Sequence, residues 1–223
     1  MRRCTIAAAI VLFLAGADQK ANAPKFGFID LKEKANHKLD EAFHSGAEGN
    51  HLGELPKGEQ TFEGVKFKIG DKLIQLGSKL VENMPEKVEG IKVDKTFTTL
   101  HILHATGYGG GPNEEGTAYF VPDDTLIGRY HVHYEDGVVE VIPIVYGKDV
   151  RDWWWKETEK SVPRAKIAWK GDNDRAKAGS ARIRLYLTSW HNPKPHKKVT
   201  HIDYSSTFDK AAPFCVALTA EGK

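Results

Sequence analysis

Short segments of alternating apolar and polar residues recur along this chain at intervals of roughly ten residues, each closed by a turn signal. That rhythm limits the fold more than any other feature. Phe62, Val65, Phe67 and Ile69 alternate with polar neighbours, and residues 72–76 follow directly after Gly70-Asp71. Further short runs occupy residues 90–93, 97–103, 183–188, 199–204 and 214–219. The clearest pair is 127–134 and 138–145, separated by the hairpin signal Glu135-Asp136-Gly137. In the first of these, Tyr130, Val132 and Tyr134 share one face. No strand-helix-strand alternation appears, so a doubly wound parallel sheet is excluded. The pattern predicts an all-β chain folded as a two-sheet antiparallel sandwich.

The N-terminal third is less regular. Residues 26–29 read as a strand, yet Leu31, Ala35, Leu39 and Ala42 follow an approximate 3.6-residue spacing, so residues 26–47 carry the one stretch of helical character. Residues 44–57, rich in Gly, His, Glu and Asn, read as loop. An irregular N-terminal wrap around a single sandwich is the expected organisation, with no repeat and no internal domain boundary.

Residues 1–23 read as an address. Arg2 and Arg3 precede an apolar run over residues 6–17, and Ala21-Asn22-Ala23 supplies the small-residue pattern of a signal-peptidase site. The run is shorter than the 20 or so residues a membrane helix requires. Residues 1–23 are therefore expected to be a signal peptide cleaved near Ala23, with residues 24–223 forming one secreted or periplasmic domain. Cleavage removes Arg2, Arg3 and Lys20 from 32 bases and Asp18 from 30 acids, which leaves 29 of each. A neutral chain of this kind does not offer the basic face that nucleic acid requires. Cleavage also removes Cys4, so Cys215, in an apolar strand-like run, is expected to be a buried, inert thiol.

Three constellations could carry function. The first is aromatic: Trp153-Trp154-Trp155 following Asp152. In an extended segment Trp153 and Trp155 point one way and Trp154 the other, which puts at least one indole outward. Trp169 and Trp190 are expected in the core, where Trp is generally buried. The second is His131-Val132-His133, two imidazoles on one strand face, with His101 and His104 on the apolar strand read as their neighbour. Two such histidines bind zinc when a third ligand joins; with no HExxH motif present, solvent-facing histidines are the plainer expectation. The third is acidic: Asp123-Asp124, Asp149 with Asp152, and Asp172 with Asp174. Paired carboxylates serve glycoside hydrolysis at the right separation and are also the groups that hold a structural calcium. Turn capping is their default role. Gly107-Tyr108-Gly109-Gly110-Gly111-Pro112 lacks the lysine and helix of a phosphate cradle and reads as a loop at one end of the sandwich.

An ordered set of short segments resembles one type of galactose-binding-like jelly-roll module found in secreted bacterial proteins, often appended to glycoside hydrolases. It includes Phe28-Ile29-Asp30-Leu31, Phe62-x-Gly64-Val65-x-Phe67 and Leu100-His101-Ile102-Leu103-His104-Ala105. It continues through Gly128-x-Tyr130-x-Val132-His133-Tyr134 and Tyr146-Gly147-Lys148-Asp149-Val150-x-Asp152-Trp153-Trp154. It ends with Ala168-Trp169-x-Gly171-x-Asn173, Trp190-x-Asn192-Pro193 and Ile202-Asp203-Tyr204. The resemblance implies a jelly-roll sandwich and a noncatalytic role in carbohydrate recognition, with no cofactor. The expected glycan contacts are Tyr108, Asp152, Trp154, Trp190 and Asn192, rings for stacking on sugar faces and polar groups for hydroxyls. The alternatives are a glycan-acting hydrolase using loop carboxylates, and an envelope module that binds a protein partner through an exposed apolar patch on a sheet face.

Overall fold

The computed structural model describes residues 24–43, 48–110 and 121–222. Residues 1–23, expected from the sequence to be a signal peptide, and the loop residues Gly111 and Pro112 lie outside them. In chain order the strands are β1 (Lys25–Ile29), β2 (His37–Lys38), β3 (Gly58–Phe62), β4 (Val65–Ile69), β5 (Lys72–Gln75), β6 (Lys87–Lys95) and β7 (Thr99–Gly107). They continue as β8 (Leu126–Tyr134), β9 (Val139–Val145), β10 (Trp154–Trp155) and β11 (Ala165–Gly171). A one-turn helix α1 (Asp174–Ala178) precedes β12 (Arg182–His191), β13 (Val199–Ser206) and β14 (Ala212–Gly222).

The chain is an all-β antiparallel sandwich of two sheets. The large sheet runs β10-β12-β7-β14-β5-β2, with β1 also pairing β14 and β11 also pairing β12. The small sheet runs β6-β13-β8-β9. From β5 onward the chain repeatedly crosses between the sheets, so the central strands of both are drawn from distant parts of the sequence. Jelly-roll interleaving of this kind closes the core on itself.

The small sheet shows the alternation expected of one buried face. Tyr130, Val132 and Tyr134 point inward, while Arg129, His131 and His133 are only partly covered. The large sheet does not alternate. Every residue of β7 is buried, and so is β14 from Ala212 to Ala220. The reason is a third layer. The hairpin β3–β4 and the segments around Phe43, Leu52 and Leu55 cover the face of the large sheet that the small sheet leaves free. Thr219 Oγ1 donates to the Lys66 carbonyl at 2.9 Å, tying β14 to that cover. The wrap is thus partly regular. The helical spacing over residues 26–47 is not realised in the described part of that stretch. Phe26 to Ile29 lie in β1, which adds to β14 from Phe26↔Glu221 to Ile29↔Leu218. Leu39 and Phe43 are buried beneath the wrap without a helix, because burial against a sheet outweighs a weak helical spacing. Among the described residues no helix is long and apolar enough to cross a membrane.

Where the sheets meet, Tyr130 and Tyr204 of the small sheet stack at 4.4 Å and 5° against Cys215 of β14. Burial pushes the Cys215 thiol up to about 12, against the smaller opposing pull of the Tyr130 hydroxyl, so it is inert at neutral pH, as its setting in the sequence implies. His104 does not neighbour His131 and His133, contrary to the sequence expectation: β7 belongs to the large sheet and β8 to the small one. His104 crosses the core toward Tyr130 at 6.2 Å and its Nε2 pairs with Thr188 Oγ1 at 2.8 Å. Complete desolvation lowers its pKa to about 3.

A histidine depressed in the folded state stabilises above its unfolded pKa and loses that contribution as pH falls toward the folded value. His104 therefore erodes stability by up to about 5 kcal/mol between pH 6.5 and pH 3. His104→Leu is expected to flatten this acid limb in urea denaturation measured from pH 7 to pH 3.5, whatever its cost at pH 7. An unchanged slope would assign the limb to other groups.

Candidate functional site

The five residues named from the sequence fall into two groups. Tyr108, just past β7, lies with Asp152 and Trp154 at one end of the large sheet. Trp190 and Asn192 lie at the other. Trp154 pairs with Ile183 on β12, and Trp190 sits seven positions further along the same strand, roughly 23 Å away at the rise of an extended chain.

Asp152 is buried and its carboxylate is turned inward. It accepts from the Gly109 N–H at 2.7 Å and the Trp154 N–H at 2.9 Å. Tyr108 is held at φ +51° beside Gly109, where a Cβ would collide with the Tyr146 ring. Arg184, also buried, donates to the Asp152 carbonyl at 3.1 Å, pairs with Glu159, and lies over the rings of Tyr186 and Trp155 at 5.0 and 5.4 Å. Burial raises Asp152 to about 6, with Glu159 adding to the rise and the two N–H donors and Arg184 opposing it. The same burial pushes the Tyr146 and Tyr186 phenols up. The cluster clamps the turn after β7 to β10 and β12. Asn192 is likewise committed: it accepts from Tyr134 Oη and donates to the Phe97 carbonyl at 2.9 Å.

Asp123, Asp149 and Asp172 are each held by a separate partner. Asp149 accepts from the Val145 N–H at 2.7 Å and from Arg164 at 2.5 Å; Asp123 makes a two-pronged pair with Arg151 at 2.8 and 2.9 Å. Asp172 pairs with Arg182 at 2.9 Å. Asn173, between Asp172 and Asp174, is the N-cap of α1, its Oδ1 accepting from Ala176 N–H at 2.7 Å. The faint calcium-loop spacing at these three residues is thus a helix start. These acids do not face one another across a cleft.

The tryptophan triple splits as expected, two buried and one partly exposed, whereas the two single tryptophans depart from expectation. Only Trp154 and Trp155 form a strand, so the alternation does not extend to Trp153. Trp153 is buried against Phe43 at 4.9 Å and Phe214 at 5.9 Å, while Trp155 is buried beneath Lys170 and Arg184. Trp154 is partly exposed, its indole N–H donating to Asn50 Oδ1 at 3.0 Å. Trp169 and Trp190, expected in the core, are both partly exposed and pack against its margin.

Trp169, like Trp190, departs from the core placement expected of it, and it is the one that joins Trp154. It lies opposite Leu185 on β11, and a register shift precedes it. Its ring folds across Gly171, where any Cβ would strike it. Gly171 and Trp154 both pair with Ile183, from opposite sides of β12. Ile183 and Leu185 share a face, so Trp154 and Trp169 stand on the same face of the sheet with one strand between them. Asn50, His51 and Glu54 border them: Asn50 holds the Trp154 indole, Asn173 Nδ2 donates to the His51 carbonyl at 3.1 Å, and Glu54 accepts from Asp172 N–H at 3.0 Å. The one sequence signal was the Trp169-x-Gly171 spacing, meaningful only once the glycine is known to lie under the ring.

The described residues hold one grouping of donors suited to an ion: His133, His201 and Asp203 on the outer face of the small sheet, with their ligand atoms within 4.8 Å of one another. His133 is one of the two histidines of the sequence motif. The other two donors come from β13.

Compared with protein-family models, curated proteins and solved structures, the chain matches none. The fold and the two clusters define its class, a two-sheet antiparallel β-sandwich with a third covering layer.

Asp152 gives this region its pH response. A carboxylate raised in the folded state favours folding below its unfolded pKa and loses that contribution as pH rises through the folded value. From pH 4 to pH 6, Asp152 should remove about 3 kcal/mol. In urea titrations the stability of the native chain relative to Asp152→Asn is expected to fall by that order across the window; a constant difference would count against a desolvated carboxylate.

Proposed function

We propose that this protein is a noncatalytic, galactose-binding-like module that recognises glycans after export to the periplasm or cell exterior. The observation that carries the reading is the pair Trp154 and Trp169, two partly exposed indoles on one sheet face. Each is held from behind, Trp154 by Asn50 and Trp169 by Gly171. A ring fixed in this way stacks on the C–H face of a pyranose with little loss of side-chain freedom. Asn50 beside Trp154, with His51 and Glu54 on the same loop, supplies donors and acceptors for hydroxyls. This moves the contact surface from the five residues first named to one that keeps only Trp154 of them. The separate engagement of Asp149, Asp152 and Asp172 argues for binding without hydrolysis.

One feature favours a second reading, a protein-interaction module of the envelope. β9 is an edge strand of the small sheet, and Val139 and Val141 on it are 42% and 47% exposed.

A glycan array followed by calorimetry tests the first reading. Trp169→Ala is expected to weaken binding at least tenfold, about 1.4 kcal/mol, with the melting temperature little changed. Trp190→Ala, at the far end, is expected to leave affinity intact. Absence of binding to every glycan, or an equal loss in both variants, would refute the assignment.

A further inference from the structure

We propose that the outer face of the small sheet carries a binding site for a zinc-class divalent cation, built from His133, His201 and Asp203. The site is separate from the indole face and does not depend on the glycan reading. His133 on β8 and His201 on β13 are direct register partners, and their imidazoles stack at 4.1 Å and 12°. Asp203 lies two residues beyond His201 on the same strand face, opposite His131. His133 Nε2 is 3.0 Å from Asp203 Oδ2, and His201 Nε2 is 4.0 Å from Asp203 Oδ1. Tetrahedral zinc with bonds near 2.0–2.1 Å sets its ligand atoms roughly 3.3 Å apart. The donor atoms are within about 1.5 Å of that spacing, and the two stacked rings must also turn out of parallel so that both in-plane lone pairs meet the ion.

The surrounding hydrogen bonds prepare two of the ligands. Thr200 Oγ1 donates its only proton to the His133 carbonyl at 3.1 Å, so its contact with His201 Nδ1 at 2.9 Å requires that nitrogen to be the donor. His201 Nε2, on the Asp203 side, is thereby left with its lone pair, the tautomer a metal needs. Gly90 N–H donates to Asp203 Oδ1 at 2.8 Å and fixes the carboxylate. His133 Nε2 now donates to Asp203; on metal entry its proton moves to Nδ1 through solvent.

The other charged groups facing the site are compatible with a cation. Lys87 Nζ lies 3.5 Å from Asp203 Oδ2, yet it is well exposed and already paired with Glu89 at 2.6 Å, so it can withdraw. Arg129, His131 and Lys92, the β6 register partner of His201, share the face; Lys92 is exposed and pairs with Asp94 at 3.4 Å, and His131 Nδ1 is buried without a hydrogen-bond partner. Two imidazole nitrogens and one carboxylate oxygen select zinc, copper or nickel over calcium and magnesium, which favour oxygen cages. Three protein ligands leave a coordination position for water or a ligand.

The test is calorimetric titration of the metal-stripped full domain with zinc chloride, alongside cobalt absorption spectra and melting with and without EDTA. One equivalent of zinc should bind, calcium should not, and the cobalt complex should show the intense visible bands of a tetrahedral site. His201→Ala and Asp203→Asn should abolish uptake. Thr200→Val, which touches no ligand atom but frees the tautomer, should weaken it 10- to 100-fold. His191→Ala combined with His196→Ala should leave it unchanged. Should His201→Ala or Asp203→Asn misfold, Thr200→Val and the EDTA-dependent melting shift decide. No zinc uptake, uptake indifferent to Thr200 and His201, or uptake lost with His191 and His196 would each overturn the site.

Discussion

Burial of the large sheet on both faces is the constraint on which the rest of this molecule depends. β7 and β14 pair along nearly their whole length, from Thr99↔Glu221 to Gly107↔Ala212, and neither exposes a side chain before the last residues of β14. A sheet buried on one face only would leave Leu103, Ala105, Phe214 and Ala217 in water. The small sheet covers one side and the N-terminal layer the other. Every polar residue on these strands must then find an internal partner, because an unmatched buried polar group costs roughly 1–3 kcal/mol. His101 pairs with Ser189 and Glu221, His104 with Thr188, and Thr219 with the Lys66 carbonyl.

Closure at the centre displaces binding chemistry to the margins. The central strands β7 and β14 have almost no surface to offer, so the accessible aromatic and imidazole groups lie on β10, β11 and the far end of β12, and on the outer face of the small sheet. The Arg184–Glu159–Asp152 cluster sits where β10, β12 and the turn after β7 converge. Arg184 and Glu159 form an internal ion pair, and the Asp152 carboxylate, accepting from the Trp154 N–H, fixes the start of β10 where Trp154 meets Asn50. Positioning an edge indole thus depends on a buried carboxylate beside it.

Some of this organisation was legible in the residues. Alternation over 127–134, the Glu135-Asp136-Gly137 turn and the returning strand predicted β8 and β9 closely, because a sheet with one wet face leaves a period of two in the sequence. β7 and β14 were legible as apolar runs but not in their full length, since two-sided burial erases the period. β11 passed unrecognised: a bulge at Ile167/Trp169 breaks its alternation, and half its residues are only partly covered. α1 was missed because a single turn carries too little spacing; its one local signal, Asn173 as cap, resembled a fragment of a calcium loop.

The residues alone determined the class of fold, the inert setting of Cys215 and the outward face of His131 and His133, all of which follow from local patterning. Only the tertiary structure decided which side chains share a surface. Trp190 and Trp154 lie on opposite ends of one sheet, Trp169 joins Trp154 across β12, and His133 meets His201 and Asp203 from a strand 68 to 70 positions away. The physical reason is that strand pairing in this sandwich links distant segments through register and bulges. Register is set by the whole buried face rather than by neighbours in the chain.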